Sequence, residues 1–138
     1  MAKEKKESRF RFLEHTADIL MEADGKDYLD ALQNAASGMF SVLGKAKPKE
    51  KFTIEEKAPN KEELVVHALS RILAECDAME IVPCKTEVVS FDAVENLIKM
   101  AVFGEKKRAR DHIKAVTFHE LSVVEDEKGC RIRVLFDV

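Results

Sequence analysis

The 138-residue chain has no tryptophan, one tyrosine and three prolines. Its core must rest on aliphatic side chains, eight Phe and five Met. The five glycines stand apart from one another, so neither a G-x-x-x-x-G-K-[ST] phosphate loop nor a G-x-G-x-x-G fingerprint is present. Two familiar nucleotide-binding devices are thereby excluded. Three cysteines, Cys76, Cys84 and Cys130, form an odd set without a C-x-x-C pair. They read as reduced, buried thiols of a cytoplasmic protein, not as a disulfide framework. The four histidines lack metal-ligand spacing, which argues against a structural zinc site. No cysteine or serine sits in a nucleophile context. No apolar run approaches the roughly 20 residues of a membrane span. Positive charge is not in excess: the formal net charge is −3, which disfavours wrapping bulk nucleic acid but not a local basic patch.

What is present is a globular composition, 46% hydrophobic and 36% charged. Residues 1–8 are expected to be a flexible tail without a signal core, and residues 9–138 a single domain. Residues 9–14 and 19–24 alternate as two short strands. Asp27 is a plausible N-cap for a helix whose apolar face is Leu29, Leu32, Ala36, Met39, Phe40 and Leu43, ended by Gly44. Residues 51–57 alternate as a half-buried strand. Asn60 with Glu63 resembles a capping box opening a second helix to about Met79, which buries Leu64, Val65, Ala68, Leu69, Ile72, Leu73 and Cys76. Beyond Pro83 the period becomes two. Strands are expected at 85–93, 96–103, 113–124 and 130–138, with a polar loop at 104–112. Antiparallel strands with two helices on one face give a two-layer α+β domain.

Chemistry gathers in the stretch Glu14-His15-Thr16-Ala17-Asp18, a polar link between two strands, and at the end, Leu135-Phe136-Asp137-Val138. If the last strand lies beside the first two, Asp18, Asp137 and the Val138 carboxylate converge. Such a set repels itself unless a cation lies between its members. Oxygen-only ligation suits Ca²⁺, Mg²⁺ or Mn²⁺, and His15 nearby would admit Zn²⁺. From spacing alone the plainer alternative is an exposed turn aspartate and a frayed end. His15 is either a ring fixing the link or a ligand or proton carrier. His119 on a strand reads as structural, His67 as a boundary residue of the second helix and His112 as solvated. Lys114, at a strand start, reads as an ordinary snorkelling lysine. Lys106, Lys107, Arg108 and Arg110 form either a solvated loop or a patch steering an acidic partner or RNA.

His15-Thr16-Ala17-Asp18, the run Lys114-Ala115-Val116-Thr117-Phe118-His119 and the terminal Asp137-Val138, in that order, resemble the archease family from about Phe10 to Val138. The resemblance implies one small α+β module inserted into a loop of another. It implies an accessory protein, not an enzyme, acting in tRNA splicing as activator of an RtcB-type RNA ligase by promoting guanylylation and multiple turnover. Ligase-bound tRNA or GTP would be further contacts, and no membrane is involved. Matched residue by residue, the family's metal ligands fall on Asp18, Asp137 and Val138, with Ca²⁺ the favoured ion. His15, Lys114 and His119 lie in the matching motifs as further functional candidates. Two other classes stand beside this reading: a metal-dependent hydrolase or nucleotide-modifying enzyme using the same carboxylates, and a chaperone-like RNA-binding adaptor using the basic loop.

Overall fold

The computed structural model describes residues 9–15 and 17–138. The expected tail, residues 1–8, lies outside them, as does Thr16. In chain order come β1 (Phe10–Leu13), β2 (Ile19–Gly25), α1 (Tyr28–Leu43), β3 (Glu50–Lys57), α2 (Lys61–Met79), β4 (Ile81–Asp92), β5 (Leu97–Lys106), β6 (Ala115–Asp126) and β7 (Gly129–Asp137). Every strand pairing is antiparallel. The strands divide between two open sheets, ordered β1-β2-β7-β6 and β3-β5-β4. The second sheet with α2 is thus inserted between β2-α1 and β6, the α+β architecture the sequence suggests.

Helix α1 joins the two sheets, packing on β1, β2 and β7 of one and on β4 of the other. This explains its burial. Beyond the expected stripe, Ala31, Ala35 and Gly38 are also covered, because a helix between two sheets has little free surface. Two of the chain's few side-chain amides tie it to both sheets. Asn34 Nδ2 donates to the Asp24 carbonyl at 2.6 Å, and Gln33 Oε1 accepts from the Val88 N–H at 2.8 Å, beside a β4 bulge. Asp27 caps the helix through the Asp30 N–H at 2.9 Å. At the entry to α1, a side chain at Gly25 would collide with the Ala31 backbone, so this corner requires glycine.

Helix α2 starts as expected, Asn60 Oδ1 accepting from the Glu63 N–H at 2.8 Å. The Glu63 carboxylate turns to the Asn60 side-chain amide at 3.4 Å, so the box closes side chain to side chain. The helix spans β6 and the inserted sheet. Leu73, expected in the core, is only half-buried. Strand β4 begins at Ile81 and runs through Pro83, four residues before the expected start. An edge strand tolerates proline because its outer N–H is not needed, and a register shift follows Pro83. Strand β6 begins at Ala115, not Ile113, and carries a register shift between Thr117 and Ser122. Cys76 and Cys130 are buried, but Cys84 is half-buried.

Candidate functional site

The four-stranded sheet has two faces set by alternation. Met21 and Ala23 of β2, with Ile132, Val134 and Phe136 of β7, point to the helices and are wholly buried. Glu22, Asp24, Arg131, Arg133 and Asp137 belong to the opposite face. Ile19 is the partner of Phe136, so Asp18 and Asp137 occupy the next step at the same end of the β2–β7 ladder. On the far side of β7, Ala115 is the partner of Asp137, and the Lys114 N–H donates to the Asp137 carbonyl at 2.7 Å. The tertiary fold therefore brings Asp18, Asp137, Val138 and Lys114 to one sheet end, joining the start of β2 to the distant β6–β7 hairpin.

Both aspartates are half-buried, and Val138 and Lys114 are exposed. Among the described residues neither aspartate side chain has an ion-pair or hydrogen-bond partner. The other carboxylates on this face do. Glu22 is gripped by Arg133 at 2.7 Å and Arg11 at 3.2 Å, and Asp24 by Arg131 at 2.8 Å and Arg11 at 3.0 Å. These arginines hold both carboxyls below their usual range, chiefly Arg133 for Glu22 and Arg131 for Asp24.

His15 does not join the aspartates. Its Nε2 lies 3.2 Å from Glu120 Oε2, at the irregularity in β6. Glu120 adopts φ +58°, a left-handed conformation that costs a non-glycine residue on the order of 1 kcal/mol or more. Leu20 and Leu135, paired across β2 and β7, are 5% and 4% exposed yet stand outside the main core cluster. They lie on the same face as Asp18 and Asp137. Sequence reasoning does not single out Glu120. The signal available was the lapse in alternation at Phe118-His119-Glu120. His119 is exposed on this bulge, its N–H donating to Thr117 Oγ1 at 3.3 Å. His67 Nδ1 lies 3.2 Å from the Lys57 carbonyl, which fits a boundary residue.

The donor set at the sheet end is oxygen-only, which suits a hard cation better than zinc because His15 is engaged elsewhere. Among the described residues no three His, Cys, Asp or Glu side chains come together. Thiol chemistry has no footing. Burial pushes the Cys76 thiol up to about 12 and the Cys130 thiol up to about 11, and raises that of Cys84. No helix among the described residues is long and apolar enough to cross a membrane.

Residues 10–138 match the model of the Archease protein family (MTH1598/TM1083). The chain is similar to Protein archease of Methanosarcina barkeri, 31% identical over 140 residues, covering 94% of this chain and 96% of the relative. It is 29% identical to Protein archease of Sulfolobus acidocaldarius, covering 95% of this chain and 99% of the relative. The solution structure of Methanobacterium thermoautotrophicum protein 1598 superposes with a TM-score of 0.81 at 26% identity, covering 94% of this chain and 99% of that one. An archease from Thermotoga maritima shares the fold, with a TM-score of 0.70 at 23% identity, covering 91% of this chain and 94% of that one. With its antiparallel sheets, its inserted module and this match along nearly its whole length, the chain belongs to the archease family.

Proposed function

We propose that this chain is an accessory activator of an RtcB-type RNA ligase in cytoplasmic tRNA splicing, promoting ligase guanylylation and multiple turnover. The observation that carries the reading is a pair of carboxylates, Asp18 and Asp137, without a side-chain partner among the described residues, at one sheet end of an archease-family chain. Asp18, Asp137 and the Val138 carboxylate would hold a divalent cation, Ca²⁺ first, with Mg²⁺ or Mn²⁺ next and Zn²⁺ least suited. When bound, the ion supplies positive charge for phosphate oxygens. The chain's own residues do the rest. The β2–β7 ladder fixes the two carboxylates relative to each other. The Lys114 N–H fixes the Asp137 backbone, and the exposed Lys114 ammonium offers a second positive group to a nucleotide or to the ligase. His15 and Glu120 brace the link that carries Asp18.

The test is RNA ligation by an RtcB-type ligase at limiting enzyme, with GTP and Mn²⁺, with and without this protein. The expected result is a rise from a single turnover to many, lost with Asp18→Ala or Asp137→Ala while circular dichroism and melting stay unchanged. Full stimulation by both variants would defeat the carboxylate mechanism. No stimulation by the unaltered chain, together with metal-dependent cleavage of nucleotides, would replace it with the hydrolase reading.

A further inference from the structure

A sizeable concavity lies away from the acidic carboxylates. It is a groove of about 1050 Å³ between the C-terminal half of α2, the start of β6 and the basic segment that joins β5 to β6. The basic segment is built, not merely charged. Arg110 reaches back to the end of α1, its guanidinium donating to the Ser41 carbonyl at 3.0 Å while its N–H donates to the Leu43 carbonyl at 2.7 Å. It thereby caps a helix that has no basic residue in its own last turn. Lys107 is committed too: its Nζ donates to the Lys45 carbonyl at 2.9 Å and its N–H to the Glu80 carbonyl at 3.1 Å. These bonds fix the segment and leave Lys106, Arg108 and Lys114 exposed at the groove, with no side-chain partner among the described residues. Beneath them lies an apolar floor that includes Leu73, Ile81, Ile113 and Val116. Leu73 continues the buried stripe of α2 and packs against the core, yet stays partly exposed here at the groove.

We propose that this groove is a docking surface for an acidic, apolar segment of a protein partner. Charge complementarity sets the occupant: free cations on the rim match carboxylates, and the floor matches aliphatic or aromatic side chains. A nucleic-acid strand is the poorer fit. No Phe, Tyr or Trp lines the groove to stack bases, and its apolar floor offers nothing to a sugar-phosphate backbone. The surface extends further along β6. A second hollow shares Ser70 and Val116 with the groove and ends at Phe118, which is 55% exposed and meets His67 edge-on at 6.4 Å. At its other end the groove includes Lys114 and Ala115, the neighbours of Asp137. A segment seated there would hold its parent protein against the acidic sheet end. This deepens the activator reading and rests on it for the partner's identity, though not for the partner's chemistry.

The experiment has two arms. In the first, a short capped peptide of glutamate, aspartate, leucine and phenylalanine is titrated into the isotope-labelled full chain, with oligouridylate as the competing probe. The peptide is expected to shift amides of residues 106–116 and of the last turns of α2, with affinity falling roughly tenfold or more in Lys106→Glu/Arg108→Glu. The milder Lys106→Gln/Arg108→Gln, checked by circular dichroism, guards against a misfolded variant. No such shifts, shifts indifferent to the substitutions, or stronger shifts of the same amides by oligouridylate would overturn the proposal. In the second arm, binding to an RtcB-type ligase is measured with the same variants. Weakened binding with stimulation restored at saturation supports the groove; equal binding by variant and unaltered chain overturns it while the activator reading stands. If the peptide arm succeeds and the ligase neither binds nor responds, the activator reading fails and the groove assignment survives.

Discussion

One face of one sheet carries two kinds of carboxylate. Toward the end of β2, Glu22 and Asp24 are interleaved with Arg11, Arg131 and Arg133 in a cross-strand ladder, Arg11 opposite Glu22 and Glu22 opposite Arg133. Before its start, Asp18 has Asp137 beside it and no arginine. The backbone is the same antiparallel ladder throughout, so sheet geometry does not cause the difference. The neutralised half is finished as structure: its charges satisfy one another, and Glu22 is buried to 9% side-chain exposure without strain on its hydrogen bonding. The other half sets two acidic residues at neighbouring strand positions with no arginine among their described partners. Closed pairs build the fold, and an open pair is what a ligand would complete.

The largest effect expected on this comparison is ligand-dependent. If Asp18 and Asp137 hold Ca²⁺, free ion at roughly one hundred times its dissociation constant raises stability by about 2.7 kcal/mol. Melting in Ca²⁺ against a chelator checks it, and Asp18→Asn and Asp137→Asn should each lose the shift. An equal shift in both variants would place the ion elsewhere. Next is the closed half: Glu22→Ala leaves Arg11 and Arg133 facing each other and should cost about 2 kcal/mol, read by denaturant unfolding, with any Ca²⁺ response intact.

The closed half should also be the acid-sensitive one. The carboxyls of Glu22 and Asp24 lie below their ordinary range in the folded chain. The unfolded chain therefore binds protons first as pH falls. Their stabilisation is complete above the ordinary carboxylate values near pH 4 and is lost as pH drops through the lowered folded values. Urea titrations across that window should show the loss, and Glu22→Ala should flatten it. The smallest effect would erase the contrast. Ala115→Arg places a cation opposite Asp137 and should stabilise the chain by about 0.5 kcal/mol while blunting any Ca²⁺ shift. Unchanged Ca²⁺ stabilisation would show that Asp137 is not a ligand.

Much of the fold is legible in the residues. Asp27 and Asn60 cap their helices as local chemistry requires, because an N-cap acts over only three residues. The strands follow from alternation, and their imprecise ends, at Ile81 and Ala115, lie where edge pairing and a bulge override local pattern. The site is less legible. Asp18 and Asp137 could be named from motif resemblance, but that they lack arginine partners is visible only in the register. Glu120 is missed because a bulge depends on β7, not on β6 alone. The basic run at 106–110 reads as either a solvated loop or a steering patch, and does not show that Lys107 and Arg110 are spent on holding α1 and the loop.

The sequence by itself determined the helix caps, the apolar stripes and the α+β class, since these depend on neighbours a few residues apart. It also carried the motifs of the archease family. Only the tertiary structure decided which charges are closed and which are open. That is a matter of strand order, β2 beside β7, and this pairing joins residues more than one hundred positions apart, where no local rule reaches.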